Sequence, residues 1–417
     1  MHKSKSLRLL FLLVSALLIV SALPVQAQSS GQVVVKPGEK IKIAVVTDLT
    51  YQIPEFGLDI AQAAQTASSF LNEAGGIKGF EVEMFVEDDR CTGDDATTVA
   101  NRIASDPQVV AVVGHICSGA TIAASNVYEE ARIAMMSPSA TAAEVTARGL
   151  TVINRVAPLD SVQGVYDANY IYKILGARKL AALHDNDTYG LGLARAVADE
   201  FTRLGGEVVA FEGIDVESQD YRPVLTPLVA LGPEVIFFGG YEQAAVLLIP
   251  QKNDVGLGDV IFFGPDGIFG QATIDGAGSA SEGVYASFPP ILPIDYWDDR
   301  YEELFGTNPT TDFLGPFHYH AADAAGMIFA AIDAVSEIDG AGNLVIDREA
   351  LIETLRNTTE RPETVTMGTN ELLGTDPGAI APAMAKLLSG DWKKGTIPPL
   401  WDGHTAERII EIIFSLF

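Results

Sequence analysis

Cysteine is nearly missing: the 417 residues hold two, Cys91 and Cys117. A lone pair is too few ligands for a structural zinc site. In an exported chain such a pair reads as a disulfide, with two buried free thiols as the alternative. Basic side chains are scarce, 27 Lys and Arg against 55 Asp and Glu, for a net charge of −28. No Lys/Arg cluster occurs, which argues against nucleic acid or an anionic membrane as partner. Long apolar runs are missing after the first residues, where nothing approaches the ~18 uninterrupted apolar residues of a membrane span. There is also no phosphate loop, no HExxH and no Gly-x-Ser-x-Gly.

What is present begins with an export signal. Lys3, Lys5 and Arg8 form a basic region, Leu9–Leu23 an apolar one, and Val25-Gln26-Ala27 a small-residue cleavage site. Residues 1–27 are expected to be removed, leaving a net charge of −31. No Cys stands at that boundary, so no lipid anchor is expected. About 390 residues remain, enough for two domains with their own cores.

Strand and helix patterns then alternate. Strands are expected at Ile41–Thr47, Phe80–Glu87, Gln108 onward and Ile133–Met136, with helices at Leu58–Glu73, Ala96–Ile103, Ile122–Arg132 and Ala142–Ala147. After a break near Pro158–Ser161 a second series follows. Its helices are Val162–Ile174, Gly190–Leu204, Val224–Leu231 and Gln243–Asn253, and its strands Lys179–His184, Glu207–Glu212, Glu234–Gly239 and Val260–Phe263. This alternation predicts an α/β fold of two Rossmann-like lobes, each a parallel sheet flanked by helices. Long helical patterns at Asp295–Phe305, Gly315–Ser336 and Arg348–Asn357 follow, then a Gly/Pro-punctuated tail from Gly368 that ends in the apolar run Arg408–Phe417.

Ligands of open α/β sheets bind beyond the C-terminal strand ends. There the chain places Cys117, Ser118 and Thr121 at one helix start, and Ser139 and Thr141 at the next. Free N–H groups at helix starts favour an anion such as a carboxylate. Strand ends of the second lobe carry Tyr189, Tyr241 and Asp266. Neutral donors on one lobe and an acid on the other suit a zwitterion. Each residue taken alone is adequately explained as a cap or turn residue; six together at corresponding strand ends, Ser118, Ser139, Thr141, Tyr189, Tyr241 and Asp266, favour a site.

Enzyme signatures fare worse. Gly190-Leu-Gly192-Leu-Ala194 resembles a dinucleotide loop, but Arg195 stands at the third glycine position, so helix packing explains it better. Asp185-Asn-Asp187 starts like a calcium loop whose twelfth position is Ala196 rather than Glu. His318-Tyr-His320 lacks further ligands. Ser118 could serve as a nucleophile if His115 or His184 lay beside it. No cofactor and no metal are expected.

DDRC (from Asp88), GHICSGAT (from Gly114), SPSATAAEVTARG (from Ser137), HDNDTYGLGLARAV (from His184), FFGGYE (from Phe237) and FFGPDG (from Phe262) occur in an order and spacing that resemble the periplasmic leucine/isoleucine/valine-binding protein family. These are the type I periplasmic binding proteins that serve branched-chain amino acid ABC importers. The likeness is strong from Ile41 to Phe288 and looser over the next eighty residues.

The resemblance implies a ligand site made by Phe56, Ile116, Cys117, Ser118, Ser139, Ala140, Thr141, Tyr189, Tyr241 and Asp266. Ser118 would meet the ligand carboxylate, Thr141 both ends of its backbone, and Asp266 the ammonium. It also implies a Cys91–Cys117 disulfide. The lobes would be joined by a three-crossing hinge: residues 40–160 plus 289–367 as the first, 161–288 plus 368–417 as the second. Two departures bear on ligand choice. Phe56 stands where the family has a tyrosine, and Asp266, one methylene shorter, replaces a glutamate.

The expected function is therefore capture of an amino acid, with a branched aliphatic side chain, by lobe closure, and delivery to membrane permease subunits of an ABC transporter. The protein is expected to be a monomeric, non-enzymatic, periplasmic or secreted binder. The alternatives are a sensing module of the same fold for amides, urea or another amino-acid analogue, and a serine hydrolase.

Overall fold

The computed structural model describes residues 31–289 and 293–357. The expected signal peptide, the tail from residue 358 and the third crossing lie outside them.

The chain opens with β1 (Gln32–Val35) and then alternates: β2 (Ile41–Thr47), α1 (Pro54–Glu73), β3 (Val82–Asp88), α2 (Gly93–Ser105), β4 (Val109–Val113), α3 (Ser118–Ala131), β5 (Ala134–Ser137), α4 (Glu144–Ala147) and β6 (Ile153–Arg155). β2 to β6 form a five-stranded parallel sheet in the order β3-β2-β4-β5-β6. Every residue of β4, VVAVV, is buried, as expected of a strand covered on both faces.

The second lobe runs α5 (Asp160–Asn169), β7 (Lys179–His184), α6 (Thr188–Arg203), β8 (Glu207–Gly213), α7 (Arg222–Leu231), β9 (Val235–Gly239), α8 (Glu242–Asp254), β10 (Ile261–Gly264), α9 (Gln271–Ala277) and β11 (Tyr285–Ala286). Its sheet is parallel, in the order β11-β10-β9-β7-β8. The helix expected over Val162–Ile174 widens into a π-turn at Tyr170–Ile174. Helix α1 starts four residues before the expected Leu58, because Pro54 suits the first turn, where no N–H partner is needed. Helix α2 starts at Gly93, capped by the Thr92 hydroxyl, which accepts from Asp95 N at 3.2 Å.

After residue 293 the chain returns to the first lobe. α10 (Asp295–Phe305) and α11 (His318–Val335) pack on α1, and α12 (Arg348–Asn357) packs on β5. β12 (Ser336–Ile338) and β13 (Leu344–Asp347) form an antiparallel sheet with β1, in the order β1-β13-β12, whose Val33, Val35, Leu344 and Ile346 join the first lobe's core. This sheet and β11 were not expected from the sequence.

Both sheets reverse strand order at one point, between β2 and β4 in the first and between β7 and β9 in the second. A crevice opens at such a reversal, outside the carboxyl ends of the strands.

Candidate functional site

All ten expected site residues lie just past the C-terminal ends of strands at or beside these reversals: Phe56 after β2, Ile116, Cys117 and Ser118 after β4, Ser139, Ala140 and Thr141 after β5, Tyr189 after β7, Tyr241 after β9, Asp266 after β10. All ten are buried.

The first lobe's two loops are tied to each other. Cys117 is bonded to Cys91, with Cα atoms 5.4 Å apart, and is the N-cap residue of α3. Closing this loop, with its sequence separation of 26, contributes about 3.5 kcal/mol in the chain-entropy account. Ser139 Oγ donates to the Ile116 carbonyl at 2.9 Å, and Ser118 Oγ accepts from Ala142 N at 3.2 Å. Ser137 Oγ, which the sequence reading passed over, donates to the His115 carbonyl at 2.6 Å and accepts from Ala140 N at 3.0 Å.

Thr121 differs from expectation. Its hydroxyl donates to the His115 and Cys117 carbonyls at 3.0 and 2.8 Å, so it closes the helix's first turn instead of facing the crevice. Arg155, also missed, donates from Nη1 to the carbonyls of Ala140, Thr141 and Ala142 at 3.3, 3.0 and 2.7 Å and holds the second loop. The approach to Phe56 is braced by Asp48, whose carboxylate accepts from the N–H groups of Thr50, Tyr51, Gln52 and Ile53. Phe56 itself packs on Phe317, with ring centroids 5.6 Å apart.

In the second lobe Tyr189 and Tyr241 stack, centroids 5.0 Å apart and 25° from parallel. Tyr189 Oη accepts from Gly267 N at 3.0 Å. Gly267 cannot be replaced cheaply, because a Cβ there would lie 2.6 Å from the Gly240 carbonyl. Burial pushes the Asp266 carboxyl up to about 6, against hydrogen bonds from Gln163 and Tyr189 that favour its anion. Its Oδ1 is buried with no hydrogen-bond partner.

Facing it is a second acid that sequence reading did not identify. Asp160 starts the helix that follows the first crossing, and its N–H donates to the Thr141 carbonyl at 3.1 Å. Its carboxyl is raised to about 7 by burial and, more weakly, by Asp266; both its oxygens and Thr141 Oγ1 lack a partner of ordinary geometry. Thr141, Asp160, Asp266, Tyr189 and Tyr241 thus form one contiguous polar group across the lobes. Phe56 shares no hydrogen bond or ring contact with the other nine among the described residues.

The lobes meet directly at Gly119 and Asp187. A Cβ on Gly119 would sit 2.3 Å from Asp187 Oδ1. The Asp187 carboxylate is held by Thr188 and Tyr189 N–H at the start of α6 and by Gly119 N–H across the crevice, while burial raises its pKa. Tyr51 Oη donates to Glu217 as a second bridge between the lobes.

The enzyme-like features have structural explanations. A Cβ on Gly190 would lie 2.3 Å from both Asp185 Oδ1 and the Gly239 carbonyl, so this glycine permits helix–strand contact. Arg195 lies over the Phe211 ring. His115 is hydrogen-bonded through Nδ1 to Asp89 at 2.6 Å and through Nε2 to Tyr128 at 3.1 Å. His184 Nδ1 accepts from Asn186 N, and its ring packs on Phe211. Neither imidazole is hydrogen-bonded to Ser118. His318 Nδ1 faces Asp59 at 3.3 Å, and His320 is pushed down to about 4 by burial. No cluster of three metal-ligating side chains occurs among the described residues, and no described helix is long and apolar enough to cross a membrane.

Burial raises several carboxyls, five of them into the range of pH 6 to 8: Asp160 and Asp185 to about 7, Asp167 and Glu242 to about 8, Asp266 to about 6. A raised folded-state pKa means the native state holds protons that the unfolded chain has released. Stability from these groups is full below their unfolded pKa near 4 and is lost as pH rises through about 6 to 8. Thermal melts of the ligand-free protein should therefore show Tm falling from pH 5 to pH 8.5. Asp167→Asn, which keeps an acceptor for the 3.0 Å bond from Ser287 Oγ, should flatten that fall. An unchanged slope would contradict the buried neutral state of Asp167.

Comparison with known proteins agrees with this architecture. A periplasmic binding protein family profile matches residues 40–385. The leucine-, isoleucine-, valine-, threonine- and alanine-binding protein of Pseudomonas aeruginosa is 32% identical over 333 residues, 80% of this chain and 86% of that protein. The Leu/Ile/Val-binding protein of Escherichia coli K12 is 35% identical over 276 residues, covering 66% and 72%. Among solved structures, the leucine-binding protein LivK of Thermotoga maritima superposes with a TM-score of 0.66 at 26% identity, covering 76% of this chain and 87% of that one. The isoleucine complex of LivJ from Streptococcus pneumoniae gives 0.66 at 25%, covering 77% and 88%. With paired parallel sheets, a crevice at facing strand-order reversals and a profile match over most of its length, the chain belongs to the periplasmic binding protein family.

Proposed function

We propose that the protein captures a free amino acid between its lobes and delivers it to the permease of an ABC importer. The observation that carries this reading is the pairing of a buried carboxylate with one unpartnered oxygen, Asp266 Oδ1, with a disulfide-braced helix start at Cys117–Ser118 on the opposite lobe. An ammonium is met by an anion, and a carboxylate by N–H and hydroxyl donors. Ser118 Oγ accepts from Ala142 N and keeps its own proton to donate. Thr141 Oγ1, beside Asp160 and without a partner of ordinary geometry, is the neutral hydroxyl that can serve both ligand ends. Phe56, Ile116 and Ala140 offer apolar walls without a counter-charge, which suits a branched aliphatic side chain; the relatives named for leucine, isoleucine and valine support it.

Closure and binding are one free-energy change, because contacts to the second lobe exist only when the lobes meet. The basic and apolar N-terminal segment supports export to the periplasm with cleavage after residue 27, the ligand-holding lobes a binder rather than an enzyme, and the family's architecture a monomer with a third crossing beyond residue 357, residues 40–160 plus 289–367 against 161–288 plus 368–417.

A thermal-shift screen over all amino acids, amides and urea tests the ligand class. At a ligand concentration 100 times Kd the linkage stabilises by about 2.7 kcal/mol, a rise of about 3 °C. The rise is expected with leucine, isoleucine or valine. A response to amides or urea alone would favour the sensing module, and no response to any amino acid would overturn the assignment.

A further inference from the structure

A cavity of about 380 Å³ lies between the lobes, lined by Tyr51, Gln52 and Pro54 from the first and by Gln219, Glu242 and Gln243 from the second. Pro54 is two residues from Phe56, and Glu242 follows Tyr241. The cavity is therefore flanked by chain neighbours of two of the site's aromatic residues, Phe56 and Tyr241.

Glu242 is the unusual group. It lines the cavity at 9% exposure and has no hydrogen bond or ion pair with any described residue. Its place in the first turn of α8 offers only a weak attraction from the helix dipole. Burial outweighs this and raises the carboxyl to about 8, with Glu55 and Asp48 adding repulsion. Gln243 Oε1, on the same helix turn, is also buried without a partner. The nearby cation is already engaged: Arg90 lies over the Tyr51 ring and pairs with Asp95 at 3.6 Å. Tyr51 is in turn bonded to Glu217. An unpaired buried carboxylate is costly unless a cation arrives to meet it.

We propose that this cavity is a cation subsite, in which the Glu242 carboxylate and the Gln243 amide oxygen receive the ammonium or guanidinium at the end of a bound amino acid's side chain. The inference rests on the amino-acid reading above and extends its ligand class from aliphatic to basic side chains: the apolar walls hold the stem and Glu242 the tip. Both lobes line the cavity, so a filled subsite also favours closure.

Calorimetry on the full chain tests it, with leucine, lysine and arginine as ligands and with leucine in the presence of methylammonium. Lysine or arginine should bind with a Kd within about tenfold of leucine's, and Glu242→Gln should shift the preference toward leucine by about tenfold or more, the loss of one buried charge pair. Leucine binding without lysine or arginine binding overturns the inference and leaves the amino-acid reading standing. So does an unchanged preference in Glu242→Gln. Methylammonium that tightens leucine binding only when Glu242 is present, with no binding of the basic amino acids, also overturns it, because the subsite then takes a free cation. No binding of any amino acid overturns both readings.

Discussion

Asp266→Asn is expected to weaken amino-acid binding by about 30-fold or more while leaving the fold intact. The amide keeps the size of the side chain and loses its charge. Removing one partner of a buried charge pair costs about 2–5 kcal/mol, and 1.4 kcal/mol is tenfold. The folded protein should tolerate the change, because the Asp266 carboxyl is already raised to about 6 by burial and one of its oxygens has no partner. The same shift sets a pH signature. An ammonium needs the ionised acid, so wild-type affinity should fall as pH drops through about 6, and Asp266→Asn should lack that dependence. Calorimetry from pH 5 to 8 on both proteins measures both effects. Equal affinities would remove Asp266 from the site.

Gly119→Val should impair closure. A Cβ at this position would stand 2.3 Å from Asp187 Oδ1, and the Asp187 carboxylate is fixed by N–H groups at the start of α6. Overpacking costs about 1–3 kcal/mol, so affinity should drop about tenfold or more. The added methyls lie at the meeting of the lobes and not in either core, so the melting temperature without ligand should change little. Asp187→Ala in the same chain should recover part of the loss by clearing the space. A recovery of nothing, or a wild-type affinity for Gly119→Val, would mean that this contact does not limit closure.

Much of the frame was legible in the sequence because its strands are uniform. VVAVV at β4 and VIFFG at β9 are buried throughout, and such runs end abruptly in polar turns. That contrast placed Ser118, Ser139, Thr141, Tyr189, Tyr241 and Asp266 at strand ends. The bracing groups stayed hidden because their partners are distant or in the backbone. Arg155 binds three carbonyls 13 to 15 positions away, and Asp48 gathers four backbone N–H groups. Asp160 reads as a helix-start acid until the fold brings Asp266 toward it. Gly119 and Asp187 meet across the two lobes, far apart in sequence. β1 was missed because a four-residue strand carries little periodicity and pairs with β13, more than 300 positions away. Thr121 was misread because its turn is hydroxyl-rich, and only the hydrogen bonds show which hydroxyls turn inward.

The central claim is that the crevice recognises both ends of an amino acid at once. Calorimetry with leucine, with 4-methylpentanoate, which lacks the ammonium, and with isopentylamine, which lacks the carboxylate, tests it most directly. The account predicts that leucine binds and that each half-ligand loses about 30-fold or more, since each leaves a buried partner unmatched on one lobe. Binding of either half-ligand as tightly as leucine would contradict it.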